Sequence, residues 1–264
     1  MNAFQVRNYR IPVNKKSRGE ATIVLLCDLH GACYGENHRE LIDAIDAQRP
    51  DLIVSAGDLI MDADRPHIDN VLALLAQLAA RYPVYCGNGN HETKLRQREG
   101  GRLYRELAAG IRACGAHLLT NERRKLTAGG IPMEIAGLEI GLRHFRRVGA
   151  SRLTLPEMCG YLQRPEKEVF SLLIAHNPMD FPVYAAWGAD LVVSGHLHGG
   201  CVRLPLLGGV VSPQLRLFPK YDRGEFTLGK SRMVVGAGLG EHGIGIRLGN
   251  PRELPVIKLV QSKR

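Results

Sequence analysis

Five short segments of the chain carry side chains suited to metal chemistry. They are Asp28-Leu29-His30, Gly57-Asp58, Gly89-Asn90-His91-Glu92, His176-Asn177 and Gly195-His196-Leu197-His198-Gly199-Gly200. In extended backbone, residues i and i+2 project to the same side. Asp28 with His30, and His196 with His198, can therefore each face one pocket. The donor pool is two carboxylates, four imidazoles (His30, His176, His196, His198) and the Asn90 amide oxygen. Nitrogen and oxygen donors without thiolate suit Mn, Fe or Zn better than Ca. Seven donors exceed what one ion needs beside a water. Two ions sharing a carboxylate would use all seven, with Asp58, on a central strand, as the bridge. Each signal alone is weak, because an Asp after a strand is most often a turn or helix N-cap residue. The inference rests on five such segments arriving in order.

Each segment follows a short apolar run. Ala21–Cys27, Asp51–Ala56, Val84–Cys86, Phe170–Ala175 and Asp190–Ser194 read as strands, and Gln5–Ile11 as another. Glu36–Gln48, Ile68–Ala80, Arg102–Cys114 and Met179–Trp187 read as helices, apolar along one face. Alternating strands and helices with continuous apolar strands predict an α/β fold with parallel strands buried on both faces. Open α/β sheets place their sites at the C-terminal ends of strands, where these donors fall. Glu225–Leu228, Arg232–Val235 and Val256–Val260 predict a second, more antiparallel sheet in the last third. The expectation is one domain over residues 1–264, with a cap or insert around 93–169. From Glu92 to Val169 there are 15 Lys and Arg against 9 Glu. Within that stretch Arg143, His144, Phe145, Arg146 and Arg147 form a basic-aromatic cluster, read as a lid that meets an anionic headgroup.

Composition narrows the class. With 264 residues, 45% apolar and 23% charged, the chain can bury a core, which excludes extensive disorder. Its net charge is +9, favouring a phosphate-bearing partner or an anionic membrane face. No run approaches the ~20 apolar residues of a membrane span, and the N-terminus has no apolar signal region. The six cysteines form no CxxC pair and fit a reducing compartment. The expected location is cytoplasmic, with peripheral contact at the inner face of the membrane.

The segments together resemble the calcineurin-like metallophosphoesterase family, from about Ala21 to the C-terminus. Gly-His-x-His-Gly-Gly at 195–200, then Pro213, Tyr221-x-x-Gly224 and Gly238-Leu239-Gly240, is similar to its small bacterial branch. The resemblance implies a four-layer α/β/β/α sandwich of two mixed sheets flanked by helices, with a dinuclear site at strand C-terminal edges. It assigns Asp28, His30, Asp58 and His198 to one divalent ion, and Asp58, Asn90, His176 and His196 to the other. Mn is the expected metal, with Fe and Zn as alternatives. His91 becomes the catalytic non-ligand histidine, and Asn90, His91, Gly199 and Gly200 contact substrate. The implied activity is hydrolysis of a phosphodiester, pyrophosphate or phosphomonoester by a water that two metal ions activate. A phosphorylated small molecule or lipid is the expected substrate, lipid-linked or nucleotide-linked, and nucleic acid is not expected. The alternatives are a nuclease of the same superfamily and a non-catalytic protein-binding scaffold. Two departures stand out. Met61 replaces the Asp that orients the active-site histidine in phosphoprotein phosphatases, and Cys201 replaces a frequent Gln.

Overall fold

A computed structural model describes residues 3–13, 15, 19–61, 65–146, 149–200, 202–204, 208–211, 218–241 and 247–262. In chain order the first strands are β1 (Phe4–Val13), β2 (Ala21–Leu26), β3 (Leu52–Ser55), β4 (Val84–Gly87) and β5 (His117–Leu119). Next come β6 (Glu122–Ala128), β7 (Ile131–Leu138), β8 (Phe170–Ala175) and β9 (Leu191–Ser194). The last are β10 (Val202–Leu204), β11 (Gly208–Val211), β12 (Gly224–Leu228), β13 (Ser231–Val235) and β14 (Arg252–Gln261). The helices are α1 (Arg39–Asp46), α2 (Arg65–Ala79), α3 (Asn90–Gln97), α4 (Arg102–Ala113), α5 (Leu155–Tyr161) and α6 (Phe181–Trp187).

Two six-stranded mixed sheets form, ordered β1-β14-β2-β3-β4-β5 and β12-β13-β9-β8-β7-β6, beside a small β10-β11 ribbon. Period-2 alternation sorts the apolar residues of each strand onto two faces. Ile23 and Leu25 of β2 meet Leu172 and Ile174 of β8 and Val193 of β9 in the core between the sheets. Val24 and Leu26 face α1, α2 and α4 through Leu41, Leu75 and Leu107. Leu173 and Val192 face α5 and α6 through Met158 and Trp187. The result is the four-layer α/β/β/α sandwich, and the strands read as unbroken apolar runs because both faces are covered.

Three expectations change. Val256–Val260 lies in β14 and joins the first sheet, antiparallel to β2 and parallel to β1. The second sheet is not a C-terminal antiparallel unit: β7, β8, β9 and β13 run parallel, and only its outer strands are antiparallel. Much of 93–169, expected as a cap, is built into the body. It supplies α4, the edge strand β5, and β6 and β7, because Met133 and Ile135 are needed in the inter-sheet core.

Candidate metal centre

The C-terminal ends of β2, β3 and β4 in one sheet meet those of β8 and β9 in the other. All seven expected donors are buried where these ends converge. Asp28, His30 and His198 present ligand atoms within 4.8 Å of one another, as do Asp58, His176 and His196, and as do His30, Asp58 and His91. Asp58 belongs to two of these groups, as a shared carboxylate must. Individual approaches are His176 Nε2 to Asp58 Oδ2 at 3.0 Å, His198 Nε2 to Asp28 Oδ1 at 3.6 Å, and His30 Nε2 to His198 Nε2 at 3.1 Å.

The backbone at the centre is strained. Asp28 (φ 48), His30 (φ 49), Asp58 (φ 52), His196 (φ 74) and His198 (φ 49) all occupy the left-handed region. Such conformations cost on the order of 1–3 kcal/mol each and persist only where surrounding contacts impose them. Those contacts are visible. The N–H groups of Asp28 and His30 donate to the carbonyls of Gly57 and Asp58, and the His196 N–H donates to the Asp28 carboxylate. Glu92, fully buried, accepts from the N–H groups of Asp58 (2.9 Å), Leu59 (2.8 Å), Ile60 (3.3 Å) and Gly89 (2.7 Å), locking the β3 and β4 loops together. Gly89 is required here, because a Cβ at that position would overlap the Asp58 carboxylate. A Glu92→Gln variant swaps an acceptor for a donor among four buried N–H groups. It should cost about 2 kcal/mol, seen as a drop of roughly 4–8 °C in a thermal melt.

The donor set fits divalent ions on the chemistry it displays. His176 Nδ1 donates to the Ala56 carbonyl at 2.8 Å, so in the neutral ring Nε2 turns a lone pair toward Asp58. Two acceptors at 3.0 Å need a cation or a proton between them. Asn90 Oδ1 is buried with no hydrogen-bond partner among the described residues, an acceptor left for an ion to satisfy. Burial alone would depress the His176 pKa, but the Asp58 carboxylate outweighs it and the ring is pushed up to about 9. Burial likewise opposes ionisation of Asp58, yet His176 holds its carboxyl well below the usual range. Burial, with the charge of Asp58, raises Asp28 to about 7.

In the metal-free protein a proton therefore stands where an ion would stand. The raised His176 pKa contributes stability fully below its unfolded value of 6.5 and loses it as pH rises through about 9. Metal binding at pH 7 should release about one proton or more, and affinity should rise with pH from 6.5 to 9. Titration calorimetry in buffers of different ionisation enthalpy reads that release directly.

The other expected site residues fall as follows. His91 is the second residue of α3, its N–H donating to Asp58 Oδ1 at 2.9 Å and its Nε2 lying 3.9 Å from Asp58 Oδ2. Its ring packs edge-on against His30, with centroids 4.9 Å apart. Gly199 (φ 68) and Gly200 (φ 88) form a turn closed by Asn250, whose amide donates to the His198 carbonyl at 2.5 Å and the Gly200 carbonyl at 2.7 Å. A Cβ on Gly199 would overlap Asn250, so this turn itself demands glycine there. The basic-aromatic cluster divides. Arg143 pairs with Glu157, His144 is buried against Ser151 and Glu157, and Phe145 turns inward to the centre. Arg147 and Cys201 lie outside the described residues.

Glu92, Asn250 and Arg247 escaped the sequence reading as parts of the site. Arg247, half-buried, donates to the carbonyls of Ala237 (2.8 Å) and Gly240 (2.6 Å) and reaches His198 Nδ1 at 3.2 Å. Only Glu92 had a signal, its place directly after Asn90-His91. Among the described residues no helix is long and apolar enough to cross a membrane.

Comparison with known proteins places this geometry. The family described as calcineurin-like phosphoesterase matches residues 21–200. The protein named Uncharacterized metallophosphoesterase YkuE, from Bacillus subtilis, is 30% identical over 247 residues, covering 90% of this chain and 78% of its own. Phosphodiesterase YaeI of Escherichia coli is 25% identical over 264 residues, covering 97% and 88%. Two solved structures share the fold. Sulfate thiohydrolase SoxB of Thermus thermophilus has a TM-score of 0.53 at 14% identity, over 94% of this chain and 58% of that one. NAD nucleotidase NadN of Haemophilus influenzae has a TM-score of 0.51 at 16% identity, over 84% and 46%.

Proposed function

The chain belongs to the calcineurin-like phosphoesterase family and is a metal-dependent hydrolase of phosphoric esters; we propose that it cleaves a phosphodiester or pyrophosphate in a lipid-linked or nucleotide-linked substrate. The observation that carries the reading is the buried cluster of Asp28, Asp58, four histidines and Asn90 at the junction of the two sheets. Asp28, His30, Asp58 and His198 would hold one ion, and Asp58, Asn90, His176 and His196 the other, Mn being the metal we favour. Bound there, two divalent cations supply Lewis acidity and bring the pKa of a water down toward neutrality.

The chain's own residues do the rest. The N–H and carboxylate contacts among Asp28, Asp58, His91 and His196 fix the donors before substrate arrives, so little reorganisation is needed during reaction. His91, beside the Asp58 carboxylate, gives its proton to the leaving oxygen. Charge favours a diester over a monoester. Arg96, Arg143 and Arg203 are already matched by Glu139, Glu157 and Asp222, and Arg247, the guanidinium that reaches His198, is engaged by the Ala237 and Gly240 carbonyls. A monoester dianion brings one more negative charge than a diester, which these paired guanidiniums meet poorly.

The test is release of 4-nitrophenolate from bis(4-nitrophenyl) phosphate by protein stripped of metal and reloaded. Activity should return with Mn²⁺ and exceed that on 4-nitrophenyl phosphate. Failure to hydrolyse either ester after loading with Mn²⁺, Fe²⁺ or Zn²⁺ overturns the reading.

A further inference from the structure

Phe145 occupies a position that the metal centre itself does not need. Its ring lies edge-on to His196, with centroids 5.0 Å apart at 75°, and 6.0 Å from the ring of His176. It is half-buried, with part of its surface still open. The short 3-10 turn Leu142–Phe145 that carries it is braced from several directions. His144, the neighbouring residue, is buried with Nδ1 against the Ser151 carbonyl (2.9 Å) and Nε2 against Glu157 (3.2 Å). Asn177, the neighbour of His176, donates to the His144 carbonyl at 3.3 Å, and the Ser151 N–H donates to the Arg143 carbonyl at 3.1 Å. A buried histidine, a carboxylate and an amide thus fix one phenylalanine against two metal-donor rings.

Resting on the phosphoesterase reading, we propose that Phe145 is a specificity-determining residue that seats an aromatic substituent retained on the phosphorus of the substrate. Position decides which substituent. His91 packs on His30, whereas Phe145 packs on His176 and His196. The two residues therefore flank different donors of the cluster. The leaving group goes to His91, which supplies its proton, and the group that stays on phosphorus meets Phe145. An aromatic ring stacks or packs edge-on there, and a small alkyl group leaves the wall in water. A fixed ring loses little freedom on binding, so the contact is expressed as affinity.

Two diesters with the same leaving group provide the test: bis(4-nitrophenyl) phosphate and ethyl 4-nitrophenyl phosphate. Metal-loaded wild type should favour the aryl ester in kcat/KM beyond their ratio of uncatalysed rates. Phe145→Ala should lower that preference by about tenfold, the scale of one aromatic contact. Phe145→Tyr should retain it. The ratio cancels any loss of folded protein. An aryl-to-ethyl ratio that is the same in wild type and Phe145→Ala overturns the proposal. A second readout needs no turnover: binding of phenylphosphonate and methylphosphonate to the metal-loaded protein by calorimetry. Phenylphosphonate should bind about tenfold tighter, with the difference lost in Phe145→Ala. If wild type hydrolyses neither ester, the phosphoesterase reading fails, and the phosphonate pair still decides the role of Phe145. Equal affinity for both phosphonates in wild type overturns it.

Discussion

Stripping divalent ions from the protein is expected to lower its melting temperature by roughly 8–16 °C. Two ions each held at roughly thirty times its Kd together add about 4 kcal/mol to the native state, and each kcal/mol moves the melt of a chain this size by roughly 2–4 °C. The structure gives the reason for so large a share. Two buried carboxylates, Asp28 and Asp58, face one pocket, and five of the donors sit in left-handed backbone. Without ions that arrangement is held by protons, chiefly the one on His176. Asp58→Asn removes the oxygen donor common to both proposed ion sites. Its melt should approach that of the chelated wild type, and chelator should move it little further. Elemental analysis run beside the melts makes the result decisive. An unchanged melting curve in chelator, with the metal shown to be gone, defeats the expectation.

That these candidate donors converge was legible in the sequence for a physical reason. Metal ligands are few residue types, and they must follow strands that converge, so type and order survive without knowledge of packing. The central strands were legible because burial on both faces makes them continuous apolar runs, as in β2 and β8. β6 was not legible. Glu122-Arg123-Arg124-Lys125 looks like a solvated basic cluster, but β6 is the edge of the second sheet, where charged residues suit a strand exposed on its outer side. Arg123 pairs there with Glu134 of β7, and Lys125 with Glu166. α3 was also missed. Its sequence, Asn-His-Glu-Thr-Lys-Leu-Arg-Gln, has one apolar residue and no helical stripe. Asn250 and Phe145 matter through contacts with residues far away in sequence, Asn250 with His198 and Phe145 with His196. Periodicity carries no trace of such contacts.

His91→Ala should cut turnover by roughly 10²–10⁴-fold while leaving metal content intact. The adjacent Asn90 carries the unsatisfied oxygen suited to an ion, and consecutive residues at the start of a helix diverge by about 100°. His91 is nonetheless close enough to be a rival donor, since it shares a 4.8 Å group with His30 and Asp58. Its Nε2 stands 3.9 Å from Asp58 Oδ2, against 3.0 Å for His176. The longer separation and the edge-on packing on His30 suit a ring that reaches toward the substrate. The two roles make opposite demands on one variant. A proton donor can be removed without freeing an ion, so metal content and the chelator-sensitive part of the melt should match wild type. A ligand cannot, and its loss would lower occupancy together with turnover. The choice of substrate sharpens the measurement. An ester whose leaving group is a good one, such as 4-nitrophenolate, needs little protonation, and an alkoxide needs much. His91→Ala should therefore damage hydrolysis of an alkyl diester more than of bis(4-nitrophenyl) phosphate. Equal damage to both, with ions lost, would make His91 an eighth donor instead.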